Sequence, residues 1–245
     1  MMKTSRIAVL LASLFAAALP AAGGPRPPVV KSFDFGDPVS LRNSWVLEGK
    51  QLGVPLTDFF IVNSPSARNG KVLAVSARSS SGLLVTQVPE SIWRNFPVLR
   101  WRWRVIKKVS FSGKELDDQA AVVYFGDGTM LRRFMVGYRW EHFCPLGDES
   151  QVVYPAALVR RICMRNAEAV PGRWYVEERN VVRDFIHAFG RMPKGSCGLA
   201  IGGNSQYSRS ETLVQIDYIE FCSAGEEVKP APRQDMKTSE RKNGK

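Results

Sequence analysis

The 245-residue sequence has little that would name a reaction. It contains no G-x-S-x-G elbow, no H-E-x-x-H pair and no phosphate-binding glycine loop, which excludes the common α/β-hydrolase, zincin and nucleotide-binding signatures. The only histidines are His142 and His187, so a nucleophile–histidine pair would need to be assembled from distant segments. None of the four cysteines has metal-type C-x-x-C spacing. No apolar run approaches the roughly 20 residues of a spanning helix, so the chain is not expected to cross a membrane.

What is present reads first as a secretion signal. Lys3 and Arg6 precede an apolar stretch over 7–19, and a small-residue exit follows, so residues 1–23 are expected to be a signal peptide. Residues 24–30 form a proline-rich linker, 31–223 a single β domain, and 224–245 a charged tail with too little apolar surface to offset the entropy of ordering. This places the mature chain in a bacterial periplasm or outside the cell. The formal charge of +11 suits acidic polysaccharide or anionic lipid, and export argues against nucleic acid as a partner. In an oxidising compartment an even cysteine count favours disulfides. We expect Cys144 with Cys163, and Cys197 with Cys222 flanking a hairpin that turns near 207–209; free buried thiols are the alternative.

Alternating apolar and polar residues recur between turn signals, from "SFDFG" at 32–36 to "TLVQIDYIEFC" at 212–222. The pattern predicts an all-β, two-sheet jelly-roll-like sandwich of about eleven strands. Turns are expected at Asn69-Gly70, at "GDG" over 126–128 and at Pro171-Gly172. One short helix is expected at "VVRDFIHAFG", with Val182, Phe185, Ile186 and Phe189 on one face and Gly190 as its stop.

Within "VLRWRWRVI", the alternation sends Trp101 and Trp103 to one face and Arg100, Arg102 and Arg104 to the other. Guanidinium groups are planar, permanently charged and bidentate, so they suit carboxylates, sulfates and sugar hydroxyls. Asp117 and Asp118 open the next strand, and adjacent carboxylates repel unless a cation, proton or arginine intervenes. Turn capping, an ion-pair network with Arg102 or Arg104, and a ligand site all remain open for them. Tyr138, Trp140, Trp174 and Tyr175 lie near strand ends, where an aromatic face can pack in the core or stack on a sugar.

Together "FPVLRWRWRV", "ELDDQAAVVYF", "VGYRW", "WYVEERNVVRDFIHAFG", "GLAIGGNS" and "IDYIEF" resemble the domain-of-unknown-function family 3047 of exported bacterial proteins. The resemblance implies a sandwich domain and carries no activity. Where an acid-rich "TDTDNT"-like run is expected, this chain has Asn204 and Gln206, so charge is missing there. A looser resemblance is to galactose-binding-like carbohydrate-binding modules, in which Asp217 would occupy the position of a calcium-holding aspartate. Calcium needs six or more oxygens, and only Asp34 and Asp217 can be nominated, so no cofactor is expected.

The function expected from these features is non-catalytic binding of an envelope or extracellular polysaccharide. The nominated contacts are Arg102, Arg104, Asp117, Asp118, Arg139, Trp140, Arg179, Asn180 and Asp184. A hydrolase or lyase using Asp118 and Glu178 as acid and base is the first alternative. A structural envelope protein whose polar network only supports the sheet is the second.

Overall fold

A computed structural model describes residues 28–49, 51–109, 117–129 and 131–224. The expected signal peptide, most of the linker and all but the first residue of the expected tail lie outside the described residues.

The described residues form two sheets and three short helices. The first sheet runs in the order β11 (Tyr175–Asn180), β6 (Val98–Lys107), β13 (Glu211–Cys222), β4 (Lys71–Arg78), β3 (Asp58–Asn63), with β1 (Val29–Asp34) also beside β13. The second runs β2 (Val46–Glu48), β5 (Ser81–Val88), β12 (Cys197–Asn204), β7 (Gln119–Thr129), β8 (Arg132–Trp140), β10 (Ala157–Arg165), β9 (Glu149–Tyr154). The result is a jelly-roll-like sandwich with thirteen strands, two more than the sequence pattern suggests. The two additions, β2 and β9, sit at the edges of the second sheet, where solvent on both sides removes the alternation: β9 leaves Val153 76% exposed.

Between the sheets, inward positions interdigitate. Trp101 and Trp103 are fully buried and meet edge to face at 5.6 Å. Trp101 also packs on Tyr138 and Trp103 on Trp140, which ties β6 of one sheet to β8 of the other. Trp140 is therefore a core residue, 2% exposed, and not a ligand contact.

Besides α3 (Val181–Phe189), the chain forms α1 (Pro38–Ser44) and α2 (Glu90–Asn95), each too short to show a helical period. Asn180 caps α3 by accepting from the Arg183 amide at 3.0 Å, and Gly190 ends it in the left-handed region at φ 67°. Of the expected face, Phe185 is buried and Val182 and Phe189 are partly buried against the core, whereas Ile186 is exposed and Val181 and Asp184 are buried in addition.

Two expectations are corrected by sheet order. "GDG" lies inside β7, which pairs with β8 as far as Thr129 opposite Arg132. β12 and β13 belong to different sheets, so the segment between them is a crossover and not a hairpin. Cys197 and Cys222 consequently sit in opposite layers as free buried thiols. Cys144 and Cys163 do form a disulfide. β10 runs parallel to β8, so residues 141–148 must cross the end of β10 to reach edge strand β9, and the disulfide pins that crossing to β10.

Candidate ligand-binding groove

The outward arginine row of β6 is committed within the protein. Arg100 donates to Glu178 at 2.8 and 2.9 Å and reaches Glu220, itself 1% exposed, at 3.4 Å. Arg102 donates to Asp217 at 2.7 Å. Arg104 finds neutral partners, the Gln215 carbonyl at 2.6 and 2.8 Å and Ser64 at 3.1 Å. Burial and the neighbouring Arg102 charge lower its pKa. A bulge in β13 between Ile216 and Tyr218 makes this possible by turning both Asp217 and Tyr218 outward, so that Arg68 stacks on Tyr218 at 3.6 Å while Arg102 takes Asp217. Trp174 covers the row, with both guanidinium carbons within 4.5 Å of its ring centre and its indole donating to Ser66.

The remaining nominated residues do not converge on that face. Asp117 accepts from Arg139, Arg161 and Tyr154 on the outside of the second sheet. Asp118 is fully buried and accepts the backbone amides of Tyr207 and Ser208 at 3.2 and 2.7 Å, holding the β12–β13 crossover. Glu178 lies on the outer face of the first sheet, paired with Arg100, so the structure does not join it to Asp118. Arg179 grips Asp184 through two hydrogen bonds of 2.8 and 2.9 Å, and Tyr138 donates to the same carboxylate. Both oxygens of Asp217 accept from nitrogen, one from the Arg68 amide and one from Arg102, while Asp34 faces the Arg68 guanidinium at 3.9 Å. Arg68 and Arg102 thus provide positive charge beside both carboxylates nominated for calcium. Asn204 donates its side-chain amide to the Asp117 carbonyl at 2.8 Å, a bond an ionised aspartate could not make.

The open feature is on the outer face of the second sheet. Strand register lines up two cross-strand rows there: Val85, Ala200, Tyr124, Gly137 and Arg161, and beside it Gln87, Gly198, Gly126 and Met135. Ala200 and Gly137 on either side of Tyr124 in the first row, and Gly198 and Gly126 in the middle of the second, leave a trough, a groove of about 290 Å³. It adjoins a shallower depression of about 540 Å³ that shares Glu48, Val85 and Gln87 and continues to Lys31.

Tyr124 is the aromatic on this floor. A Cβ at Gly137 would lie 2.4 Å from its Cε1, so the absent side chain is what lets the ring lie across β8. Burial pushes its phenol up to about 12, which keeps the hydroxyl protonated. At Gly198, by contrast, an added Cβ meets only the Gly126 carbonyl at 3.9 Å and would project into open groove.

An ion pair spans the trough. Arg133 of β8 donates to Glu48 of β2 at 2.9 Å, with the two side chains 37% and 36% exposed. Deeper in the wall, Asp127 is held by Arg191 at 2.6 and 2.7 Å and by the Lys194 amide. None of Arg133, Tyr124, Gln87 and Glu48 is among the contacts that the sequence pattern nominates. Their signal was the set of glycines and alanine at alternate positions of three strands, which is meaningful only once those strands are known to be neighbours.

Residues 50–220 match the family described as "Protein of unknown function (DUF3047)". The chain belongs to the DUF3047 family. Of the residues in the motifs that resemble the family, Trp101, Trp103, Asp118, Tyr138, Trp140, Arg179, Asn180, Asp184 and Gly190 build the core, the caps and the buried hydrogen bonds of this fold. No curated protein matches. Among solved structures, a carbohydrate-binding module that recognises mannan is 10% identical, with 82% of this chain and all of that one covered and a TM-score of 0.36. A carbohydrate esterase of the Shiga toxin-encoding bacteriophage phi24B is 13% identical, covering 82% and 100%, at 0.40. The family 11 carbohydrate-binding module of a Clostridium thermocellum cellulase is 8% identical, covering 84% and 99%, at 0.38. Likenesses at these scores carry no conclusion about what this chain binds.

Proposed function

We propose that the protein is a non-catalytic binding module for a polysaccharide of the cell envelope or exterior, and that the groove over the second sheet, rather than the arginine face, holds it. The observation that carries this reading is Tyr124, laid across Gly137 on a floor of small residues with Gln87, Glu48 and Arg133 around it. An aromatic surface with polar groups at its rim is the combination that takes a sugar, apolar CH groups on the ring and hydroxyls on the rim.

Export of the chain fits the leader-like residues 1–23 and the disulfide. Among the described residues no helix is long and apolar enough to cross a membrane. The paired-carboxylate hydrolase finds no support in the geometry, since Asp118 spends both oxygens on backbone amides and Glu178 is paired with Arg100.

Affinity electrophoresis and titration calorimetry against a panel of neutral and acidic polysaccharides test the proposal, using the wild type, Tyr124→Ala and Gly198→Leu. We expect retardation of the wild type and its loss in both variants, with unfolding midpoints retained for Gly198→Leu. No retardation by any polysaccharide would favour a structural envelope role. Undiminished binding by Gly198→Leu would place the ligand elsewhere.

A further inference from the structure

Glu48 and Arg133 come from strands separated by β5, β12 and β7, yet their side chains meet over the groove. Four strand spacings of about 4.8 Å put β2 and β8 roughly 19 Å apart in a flat sheet. The β7–β8 arm must therefore curl over the face. Two glycines allow this: a Cβ at Gly126 would sit 2.0 Å from the Phe134 carbonyl, and Gly128 has φ of 129°.

The pair is badly placed to be a structural bond. Both partners are more than a third exposed, and such ion pairs contribute little to stability. Other acids near the groove are differently held: Asp127 is 3% exposed and bound by Arg191 through two nitrogens. Among the described residues Glu48 pairs with Arg133, and Arg133 contributes a single nitrogen to it. The guanidinium has further donors, and its fork fits a carboxylate through two parallel bonds.

We propose that the Glu48 carboxylate is an internal stand-in for a carboxylate of the ligand, and that the groove selects uronic-acid-containing polysaccharide. This inference rests on the groove being a glycan site. On binding, a uronate carboxylate takes Arg133, Glu48 turns out to solvent, and the sugar ring settles on Tyr124. Exchange of one carboxylate for another leaves Arg133 paired throughout, so the protein does not pay to desolvate a bare cation. Lys31 in the adjoining depression offers a second positive charge to the next acidic unit of the chain.

The two partners then have opposite effects, which separates this idea from a simple barrier. Calorimetry with a galacturonate hexamer and its methyl ester, the same sugar chain with each carboxylate capped by a methyl group and uncharged, is the test. We expect the acid to bind tighter than the ester, and the preference to shrink as salt rises. Glu48→Gln should bind the acid roughly 1.5- to 5-fold tighter, the worth of a released exposed pair. Arg133→Gln should bind it about tenfold or more weaker, the worth of a charge-assisted hydrogen bond, and Arg133→Lys should recover only part of the loss. Both variants can be checked for folding by their unfolding midpoints. If acid and ester bind equally and both variants tighten binding, the pair is only a barrier and acid selection is overturned while glycan binding stands. If neither these hexamers nor any polysaccharide of the panel binds, the functional reading itself falls.

Discussion

Glu48 and Arg133 lie 2.9 Å apart although three strands of the same sheet separate the strands that carry them. Curvature brings them together, and the same curvature makes the trough. A bond that closes a groove without anchoring the fold should show weak coupling. In urea denaturation of wild type, Glu48→Gln, Arg133→Gln and the double variant, we expect a coupling of about 1 kcal/mol or less. A coupling above about 3 kcal/mol, typical of a buried pair, would mean that the pair is locked rather than displaceable.

Gly137 is predicted to be indispensable to the aromatic floor. An added Cβ meets Tyr124 at 2.4 Å, and the strand backbone beneath cannot yield. Gly137→Ala should lower stability by about 1 to 3 kcal/mol through overpacking and abolish glycan binding. Removing the ring in Gly137→Ala/Tyr124→Ala should return most of the stability but none of the binding. Calorimetry of both variants distinguishes this from a plain strand defect, which the double variant would not relieve.

The cysteines should behave as two classes. Thiol titration of the native protein is expected to find no rapidly reacting group, and titration in denaturant to find two, Cys197 and Cys222. Burial and the nearby Asp127 push the Cys197 thiol up to about 12, which withholds the reactive thiolate. Replacing both Cys144 and Cys163 by serine opens a loop with a sequence separation of 19 and should cost roughly 3 kcal/mol in denaturant unfolding. Four thiols in denaturant without reductant would contradict the pairing.

Asp118 is predicted to serve folding and not chemistry. It is fully buried and its two oxygens hold the Tyr207 and Ser208 amides of the crossover. Asp118→Ala should cost about 2 to 4 kcal/mol by leaving those donors unmet, while polysaccharide affinity of the folded fraction stays at the wild-type value. A loss of affinity with little loss of stability would restore it as a site residue.

Within the arginine row the three members should not be equivalent. Arg100 bonds Glu178 through two nitrogens and reaches Glu220, which Arg68 also holds at 2.7 Å, so Arg100→Met should cost about 1.5 to 3 kcal/mol by removing charge-assisted hydrogen bonds without leaving Glu220 unpaired. Arg104 meets only neutral oxygens and the Trp174 ring, so Arg104→Gln should cost about 1 kcal/mol. Thermal or urea unfolding of the two variants checks the ranking.

Local chemistry was enough to read several features directly. The period of two placed Trp101 and Trp103 inward and the arginines outward, because successive strand residues must face opposite sides. Gly190 ended a helix because it tolerates a left-handed backbone, whereas Asn180, nominated as a ligand contact, proved to be the cap of that helix. The same local rules said nothing about which strands become neighbours. Asp117 and Asp118 stand next to the arginine strand in sequence, yet β6 is partnered by β11 and β13, so the arginines found Glu178, Asp217 and Glu220 instead.

Sequence by itself therefore determined the sandwich class, the inward and outward faces of its strands and the end of α3 at Gly190. Only the tertiary structure decided the partners: the bulge that turns Asp217 to Arg102, the crossover that parts Cys197 from Cys222, and the curled sheet that brings Glu48 to Arg133. The reason is range. A face depends on the next residue along the chain, whereas a pairing or a groove depends on strand order and sheet curvature, which are set by contacts between segments distant in the chain, as the 85-residue separation of Glu48 and Arg133 illustrates.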